Sequence, residues 1–406
     1  MERAAGLGAR LRAAREWAGL TQEEAASALG VTHALISYWE NDRRTPGLGH
    51  LTRLAEIYGT TVTNLLDPAH EEPAGPQPAL LFRDLRDLAP QTQVRLRQWI
   101  AFLDDWADLL DECGDVLPGP GQPPVKAWQR ARPITDVQRA PSLAVDARKY
   151  YGLGLDAIPD LQTFLDQQGI LVYRVALDPL DVPGSISGAF CNHPRLGFCV
   201  LVNTNTTPGR QTFTLAHEFA HALFHSQVAA VLCRAGSKDP RERFADRFAA
   251  HFLVPEEGLL RVIGLPGDRP VTDPRLVIHL QRYFGVSYAT MLNRLLDEGY
   301  LTSERYEEYR QLSPAALAAS LGLERDPYQR AVLASNAVTL ESFPPSVLER
   351  VREMVESDEL SPAGAASLLR VSQEAILQRL LAAPRPADKD EEREFDELPA
   401  PATSVA

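Results

Sequence analysis

Features of export and membrane insertion are absent from this sequence. No stretch reaches the roughly 18 uncharged apolar residues that a membrane-spanning helix needs, and no charged start precedes an apolar signal core. We therefore expect a soluble, cytoplasmic protein with no membrane partner.

Cysteine is also scarce, with four residues in the chain, Cys113, Cys191, Cys199 and Cys233. They are too few and too scattered for a disulfide scaffold, and no C-x-x-C pair indicates a thiolate zinc site. We expect four reduced thiols, with redox sensing as the less favoured alternative.

Positive charge is in deficit. The chain has 41 basic against 54 acidic residues, a net charge of −13, and residues 1–67 hold seven arginines against eight carboxylates. Loose wrapping around nucleic acid depends on many Lys and Arg side chains that neutralise phosphates. Any DNA contact must therefore be a small interface that fits the shape of the DNA, and tight binding by a monomer is not expected.

The 406 residues predict several folded units. Short helices fill 1–67; proline-rich linkers at 73–78 and 118–124 flank a helical segment within 68–140. We expect that segment to pack in a core rather than to dimerise. Strand-like runs at 170–175 and 197–202 indicate an α+β domain over 141–300. A helical region (301–387) and a disordered acidic tail (388–406) complete the predicted multidomain fold.

Two helix starts follow one another closely between Thr21 and Glu40. Thr21 begins a capping-box pattern, Gly30 breaks the first helix, and Thr32 can cap the second. The inward faces are apolar: Ala25, Leu29, Val31, Ile36 and Trp39. The start of the second helix, the part that such a motif inserts into the major groove, keeps four outward residues: His33, Ala34, Ser37 and Tyr38.

This stretch, with the following 40–46 segment and the helical remainder to Leu66, resembles the Cro/C1-type (XRE) helix-turn-helix family. The resemblance implies binding to a double-stranded DNA operator, with a homodimer as the expected form. Contacts to bases or nearby phosphates would come from Gln22, His33, Ala34, Ser37 and Tyr38, and contacts to the backbone from Asn41, Arg43 and Arg44. The alternative is a helix-turn-helix used only for protein contacts.

Residues 213–225 contain no glycine or proline and predict a buried helix. His217 and His221 lie four residues apart, on one face, where one zinc ion can bind both. Glu218 then lies beside the metal, where it can take a proton from an attacking water and pass it to a leaving amine. On a second helix, Glu242 and Asp246 share a face and offer a carboxylate that completes a two-histidine, one-carboxylate site.

His225 continues the spacing of the two histidines. Eight residues of helix separate it from His217 by roughly 12 Å along the axis, too far for both to bind one ion. We expect a helix-cap or surface role for His225.

Together, residues 210–221 and 242–255 resemble the ImmA/IrrE metallopeptidase family, whose fold is zincin-like. The resemblance implies one Zn²⁺ per chain, held by His217, His221 and Glu242, with Glu218 as the catalytic acid and base. Asp246 would orient a histidine ring. Phe219-Ala220 replaces the usual Leu-Gly without loss of a chemical group. For the group that stabilises the oxyanion, His251, Tyr283 and Tyr288 remain open.

The two resemblances imply a transcriptional regulator with endopeptidase activity. Its substrate would be a helix-turn-helix repressor, cleaved in a stress or mobile-element response. The alternatives are a non-proteolytic regulator whose zinc domain senses a ligand or partner, and an antitoxin-like DNA-binding protein. Residues 360–377 resemble faintly a second helix-turn-helix, for which packing or partner binding is favoured over nucleic-acid contact.

Overall fold

The structure is a computed structural model that describes residues 6–17, 20–58, 62–66, 88–129, 132–228, 230–234, 237, 239–264, 271–323 and 338–382. The predicted acidic tail, 388–406, and the first proline-rich stretch, 73–78, lie outside these residues. No helix in the described parts is long and apolar enough to cross a membrane.

The N-terminal region is helical, with α1 (Leu7–Trp17), α2 (Gln22–Leu29), α3 (His33–Glu40), α4 (Leu48–Tyr58) and α5 (Val62–Leu66). Gly30 ends α2 in the left-handed conformation, with a φ of 75°, so the chain turns directly into α3. Thr32 stands at the N-cap of α3, although its side chain makes no capping hydrogen bond. The predicted inward residues pack in one cluster, in which Val31 is half-buried.

A four-stranded sheet forms the centre of the chain, in the order β1-β3-β2-β4. Its strands are β1 (Leu171–Val175), β2 (Gly188–His193), β3 (Gly197–Asn203) and β4 (Ala230–Cys233). β1 runs parallel to β3, whereas β2 is antiparallel to both β3 and β4. The strand-like runs of the sequence correspond to β1 and β3.

Both faces of the sheet are covered, which explains the unbroken apolar sequence of β3. Phe198, Val200 and Val202 point into one apolar core, and Cys199 and Leu201 into a second core on the other face. The centre is therefore a sheet between two helical layers.

Helices on the first face include α7 (Ala140–Tyr150), α8 (Leu161–Gln167), α9 (Pro208–Phe224), α10 (Pro240–Leu253) and α11 (Glu256–Ile263). The same core continues into α12 (Pro274–Phe284), α13 (Tyr288–Asp297), α14 (Ser303–Arg310) and α15 (Pro314–Ser320). Helix α9 lies against the sheet and α10, so it is buried along most of its length.

The second face is covered by α6 (Pro90–Glu112) and by the C-terminal helices α16 (Pro345–Glu356) and α17 (Pro362–Leu369). Phe102 of α6 contacts both Tyr173 of β1 and Phe343, with ring centroids 5.4 and 5.1 Å apart. The helical segment between the two linkers therefore packs in a core, the favoured interpretation of its sequence.

Residues 360–377 form a helix, a break and a second helical turn. Arg370 ends α17 with a φ of 53°, and the Ser372 hydroxyl caps the Gln373–Ala375 turn, which continues as the π-helical segment Ile376–Leu381. Leu369 and Ile376 point into the second core. The residues of the helix-turn-helix-like pattern thus pack in the second core. With a helical N-terminal region, a mixed α/β centre and a helical C-terminal region, the predicted multidomain fold class is confirmed.

We expect Gly209→Ala to lower the free energy of unfolding by about 1–3 kcal/mol, because a methyl group here overpacks the start of α9. A Cβ at Gly209 would lie 2.7 Å from the Ser287 backbone nitrogen. Thermal unfolding followed by circular dichroism measures the change. Gly49→Ala is the matched control, a second-position helical glycine with open space around it. If both variants melted at the same temperature as the wild type, the close approach between Gly209 and the Ser287 backbone would not contribute to stability.

Candidate metal centre and DNA-binding surface

Helix α9 carries three of the predicted site residues. Its start is defined by Thr207, whose hydroxyl accepts a hydrogen bond from the Arg210 amide at 3.4 Å, and by Pro208 in the first turn. His217 and His221 lie on one face of this helix, and Glu218 is next to them. All three side chains are buried.

Helix α10 brings Glu242 to the histidines. The Asp239 carboxylate caps the helix by accepting a hydrogen bond from the Arg241 amide at 2.8 Å. A row of phenylalanines then packs α10 against α9: Phe248 makes edge-to-face contacts with both Phe219 and Phe224, and Phe252 lies beside Phe219. This apolar contact fixes Glu242, in the first turn, over the metal-site face of α9.

Three side chains bring their ligand atoms to one point. The Nε2 atoms of His217 and His221 are 3.1 Å apart, and the carboxylate oxygens of Glu242 lie 3.4 Å and 3.2 Å from them. A tetrahedral zinc ion with bonds of about 2.0–2.1 Å requires ligand atoms about 3.3 Å apart. The three predicted ligands therefore have the separation that zinc needs.

The charge balance of the site also favours a cation. Burial opposes protonation of His217, but its hydrogen bonds to Asp246 and Glu242 outweigh burial and raise its pKa to about 10. For Glu242, hydrogen bonds from both histidines outweigh burial and lower the pKa. The carboxylates that raise the pKa of His217 give the buried site a negative charge, which also favours a divalent cation once the proton has left.

Each histidine is oriented through its second ring nitrogen. His217 Nδ1 lies 2.9 Å from Asp246 Oδ1, the position predicted to orient a ring. His221 Nδ1 lies 2.8 Å from His225 Nδ1, and His225 Nε2 lies 2.8 Å from the Ile134 carbonyl oxygen. Both Nε2 atoms are thereby left to face the metal position.

Of the two roles expected for His225, the helix-cap role is confirmed, because His225 is the C-cap residue of α9, and the surface role is wrong. The residue follows the last turn of α9, but its side chain is fully buried and contacts His221. Burial lowers the pKa of His221, and it lowers that of His225 to about 3, so both rings are neutral at neutral pH. One set of tautomers satisfies the chain: His221 donates to His225, which donates to the Ile134 carbonyl. Sequence spacing alone missed this contact.

Glu218 occupies a space that Gly188 of β2 leaves open. A Cβ at Gly188 would lie 2.6 Å from the Glu218 carboxylate. The side chain is buried, and neither carboxylate oxygen accepts a conventional N–H or O–H hydrogen bond in the described parts of the chain. The Cys233 thiol is the polar side chain that interacts with it, and this interaction works against burial by lowering the pKa of Glu218. Burial raises the pKa of Glu218 to about 8. Such a group is suited to accepting and releasing a proton near neutral pH.

The structure also places Cys233 in the centre. Its sulfur belongs, with His217, His221 and Glu242, to a set of four buried ligand atoms that all lie within 4.8 Å of one another. The spacing of residues in the sequence could not reveal the position of Cys233, because β4 is short. Only the pairing of β4 with β2 brings Cys233 beside α9.

The three candidates for the oxyanion-stabilising group have other partners. The hydroxyl of Tyr283 donates to Asp156 at 2.6 Å, and that of Tyr288 donates to the Tyr309 carbonyl oxygen at 3.3 Å. His251 lies beside Arg294 and Glu298. None of these contacts is to a metal-site residue.

The predicted DNA-binding residues lie on and after α3. His33, Ala34 and Tyr38 are exposed on α3, with Ser37 half-buried between them. Three further positions, Asn41, Arg43 and Arg44, are exposed in the turn that follows. Arg44 lies over the Tyr38 ring at 6.0 Å. The set therefore forms one continuous surface.

Gln22, the remaining predicted contact, has an internal role. Its side-chain amide donates to Glu40 at 2.8 Å, and Glu40 also accepts a hydrogen bond from the buried Arg15 guanidinium. Since one N–H of the amide is already used in this bond, a DNA contact by Gln22 would use the amide oxygen or the second N–H. The ion pair itself joins α1 to the end of α3.

Two protein-family models match the chain. A helix-turn-helix domain model matches residues 6–67, and the model of the IrrE N-terminal-like domain of peptidase family M78 matches residues 167–296. The chain therefore carries an XRE-like helix-turn-helix domain and, after it, an IrrE-like domain of a metallopeptidase family. Both resemblances seen in the sequence are confirmed.

Parts of the chain are also similar to curated regulators. The HTH-type transcriptional regulator PuuR of Escherichia coli (strain K12) is 33% identical over 84 residues, 21% of this chain and 45% of that protein. The HTH-type transcriptional regulator ImmR of Bacillus subtilis (strain 168) is 40% identical over 60 residues, 15% of this chain and 47% of that protein. The chain thus spans about half the length of the curated relatives it matches.

We expect about one zinc ion per chain, and we expect His217→Ala or Glu242→Ala to lose most of it because each variant removes a ligand. Asp246→Ala should weaken zinc affinity by about 10–100-fold, since His217 then loses its orienting partner. Metal analysis after dialysis and competition with a chelator measure these effects. His279→Ala, which removes an exposed histidine of α12, is the control. Full zinc occupancy in Glu242→Ala would refute the ligand set.

The exposed arginines after α3 should contact DNA phosphates. Arg43→Ala should therefore reduce the slope of log affinity against log salt concentration by about 0.9. The probe is a DNA fragment selected by the full chain from a random library, and binding is measured by fluorescence anisotropy at several salt concentrations. Arg310→Ala removes the same charge from exposed helix α14. Equal slopes for both variants would exclude a phosphate contact by Arg43.

Proposed function

We propose that this chain is a DNA-binding transcriptional regulator that is also a zinc-dependent endopeptidase. The observation that carries the proposal is the convergence of His217, His221 and Glu242 within 3.1–3.4 Å beside a buried carboxylate, Glu218. A structural zinc site needs its ligands, but it does not need a further buried carboxylate beside them that is not itself a ligand.

In the proposed reaction, each residue has a separate task. His217, His221 and Glu242 would hold the metal, and Asp246 and His225 would keep the two imidazoles in place. When bound, a zinc ion would polarise the peptide carbonyl and acidify an attacking water molecule. Glu218 would accept a proton from that water at its carboxylate and return it to the leaving amine.

The proposed substrate is a helix-turn-helix repressor. Its class follows from the ImmA/IrrE resemblance, and the N-terminal domain gives a route to it, because this domain is of the same kind as the proposed substrate. It can bring the peptidase domain to an operator or to a repressor through mixed pairing. Cleavage would then relieve repression in a stress or mobile-element response in the cytoplasm.

One observation favours the second candidate function, a non-proteolytic sensor. Cys233 lies in the same group of ligand atoms. A fourth protein ligand would close the coordination position that a catalytic zinc ion keeps open.

Glu218→Gln distinguishes the two functions. Gln matches Glu in size but accepts no proton, so zinc content and DNA binding should persist while cleavage of the repressor falls by about 10²–10⁴-fold. The inactive variant also serves as the trap that captures the substrate for identification by mass spectrometry. Glu257→Gln, a carboxylate removed from the exposed face of α11, is the control. If Glu218→Gln relieved repression in cells as well as the wild type does, proteolysis would not be the output.

A further inference from the structure

Cys233 is the last residue of β4 and is almost completely buried. Within β4, Val231 and Cys233 point into the core that contains α9 and α10. Cys233 pairs with Gly188 across the sheet, the residue that leaves space for the Glu218 carboxylate. The strand thus ends at the metal centre.

The distances bring the sulfur close to a coordinating position. Cys233 Sγ lies 4.0 Å from a Glu242 carboxylate oxygen, and it is within 4.8 Å of the two histidine nitrogens. In a tetrahedral site with a zinc–sulfur bond of about 2.3 Å, sulfur lies about 3.6 Å from each nitrogen or oxygen ligand. A movement of roughly 1 Å therefore completes the site.

The other thiols of the chain do not share this environment. Cys191 and Cys199 point into the opposite core, and Cys113 follows the end of α6. Cys233 alone, among the cysteines of the described parts, has ligand atoms around it. An apolar residue would suffice if the position only filled the core.

We propose that Cys233 is a fourth protein ligand of the metal, so that the resting centre is a closed site of two histidines, one glutamate and one cysteine. The S–H bond breaks as the sulfur–metal bond forms, and the proton leaves to solvent. This inference rests on the proposed zinc site and concerns its regulation. With four protein ligands in place, the peptidase is latent until Cys233 withdraws from the metal.

X-ray absorption spectroscopy of the zinc-loaded full chain tests the proposal. We expect one sulfur at about 2.3 Å and three nitrogen or oxygen ligands at about 2.0–2.1 Å. Cys233→Ala should lose the sulfur shell and keep one zinc ion per chain. Cys191→Ala, which removes an equally buried thiol from the opposite face of the sheet, should keep the sulfur shell. A shell of only nitrogen and oxygen in the wild type would overturn the proposal.

The wild-type spectrum needs no variant, so the test stands even if Cys233→Ala fails to fold. A cobalt-substituted wild type provides a second readout, because a thiolate ligand adds a sulfur-to-cobalt charge-transfer band in the near ultraviolet. The absence of this band would also overturn the assignment. If the zinc had only nitrogen and oxygen ligands and cleavage depended on Glu218, the role of Cys233 would be refuted and the proposed peptidase would stand. If the zinc had a sulfur ligand but no Glu218-dependent cleavage occurred, only the proposed peptidase activity would be refuted.

Discussion

The candidate metal centre depends on the packing of helix α10 against helix α9. Two of its proposed ligands lie on α9 and one on α10, so they stay together only while the phenylalanines between the two helices keep their spacing. Phe219 stands between Glu218 and the second histidine in sequence, yet it points away from the metal and into this contact. The same helix therefore presents chemistry on one face and a close-packed aromatic contact on the other.

Much of the site could be predicted from the sequence because its spacing reflects helix geometry. The four-residue separation of His217 and His221 fixes a shared face, and Glu242 and Asp246 repeat that spacing on the next helix. Cys233 and Gly188 could not be predicted in this way, since the pairing of β4 with β2 places them in the centre. The error for His225 has a different origin. Distance along the axis excluded it as a ligand but did not reveal that its ring reaches His221.

The same contrast holds for the fold. The apolar runs of β1 and β3 predicted strands because both are buried on two sides, whereas β2 includes Gly188 and Asn192 and β4 has only four residues. Periodicity predicted a helical segment in the region that contains α6, but it did not predict what this segment packs against. The second face of the sheet receives helices from before and after the central region, and such long-range packing leaves no local pattern in the sequence.

Glu218 is hard to explain by stability. A carboxyl group that is buried with no conventional hydrogen bond to either oxygen is destabilising even when it stays protonated, so such groups are rare unless a function retains them. The surrounding structure makes room for it, with Gly188 in place of any larger residue. A centre that only held zinc for structural reasons would be more stable with an apolar side chain at this position. The costly feature of the site is therefore the one that proton transfer requires, and this argues for chemistry over purely structural metal binding.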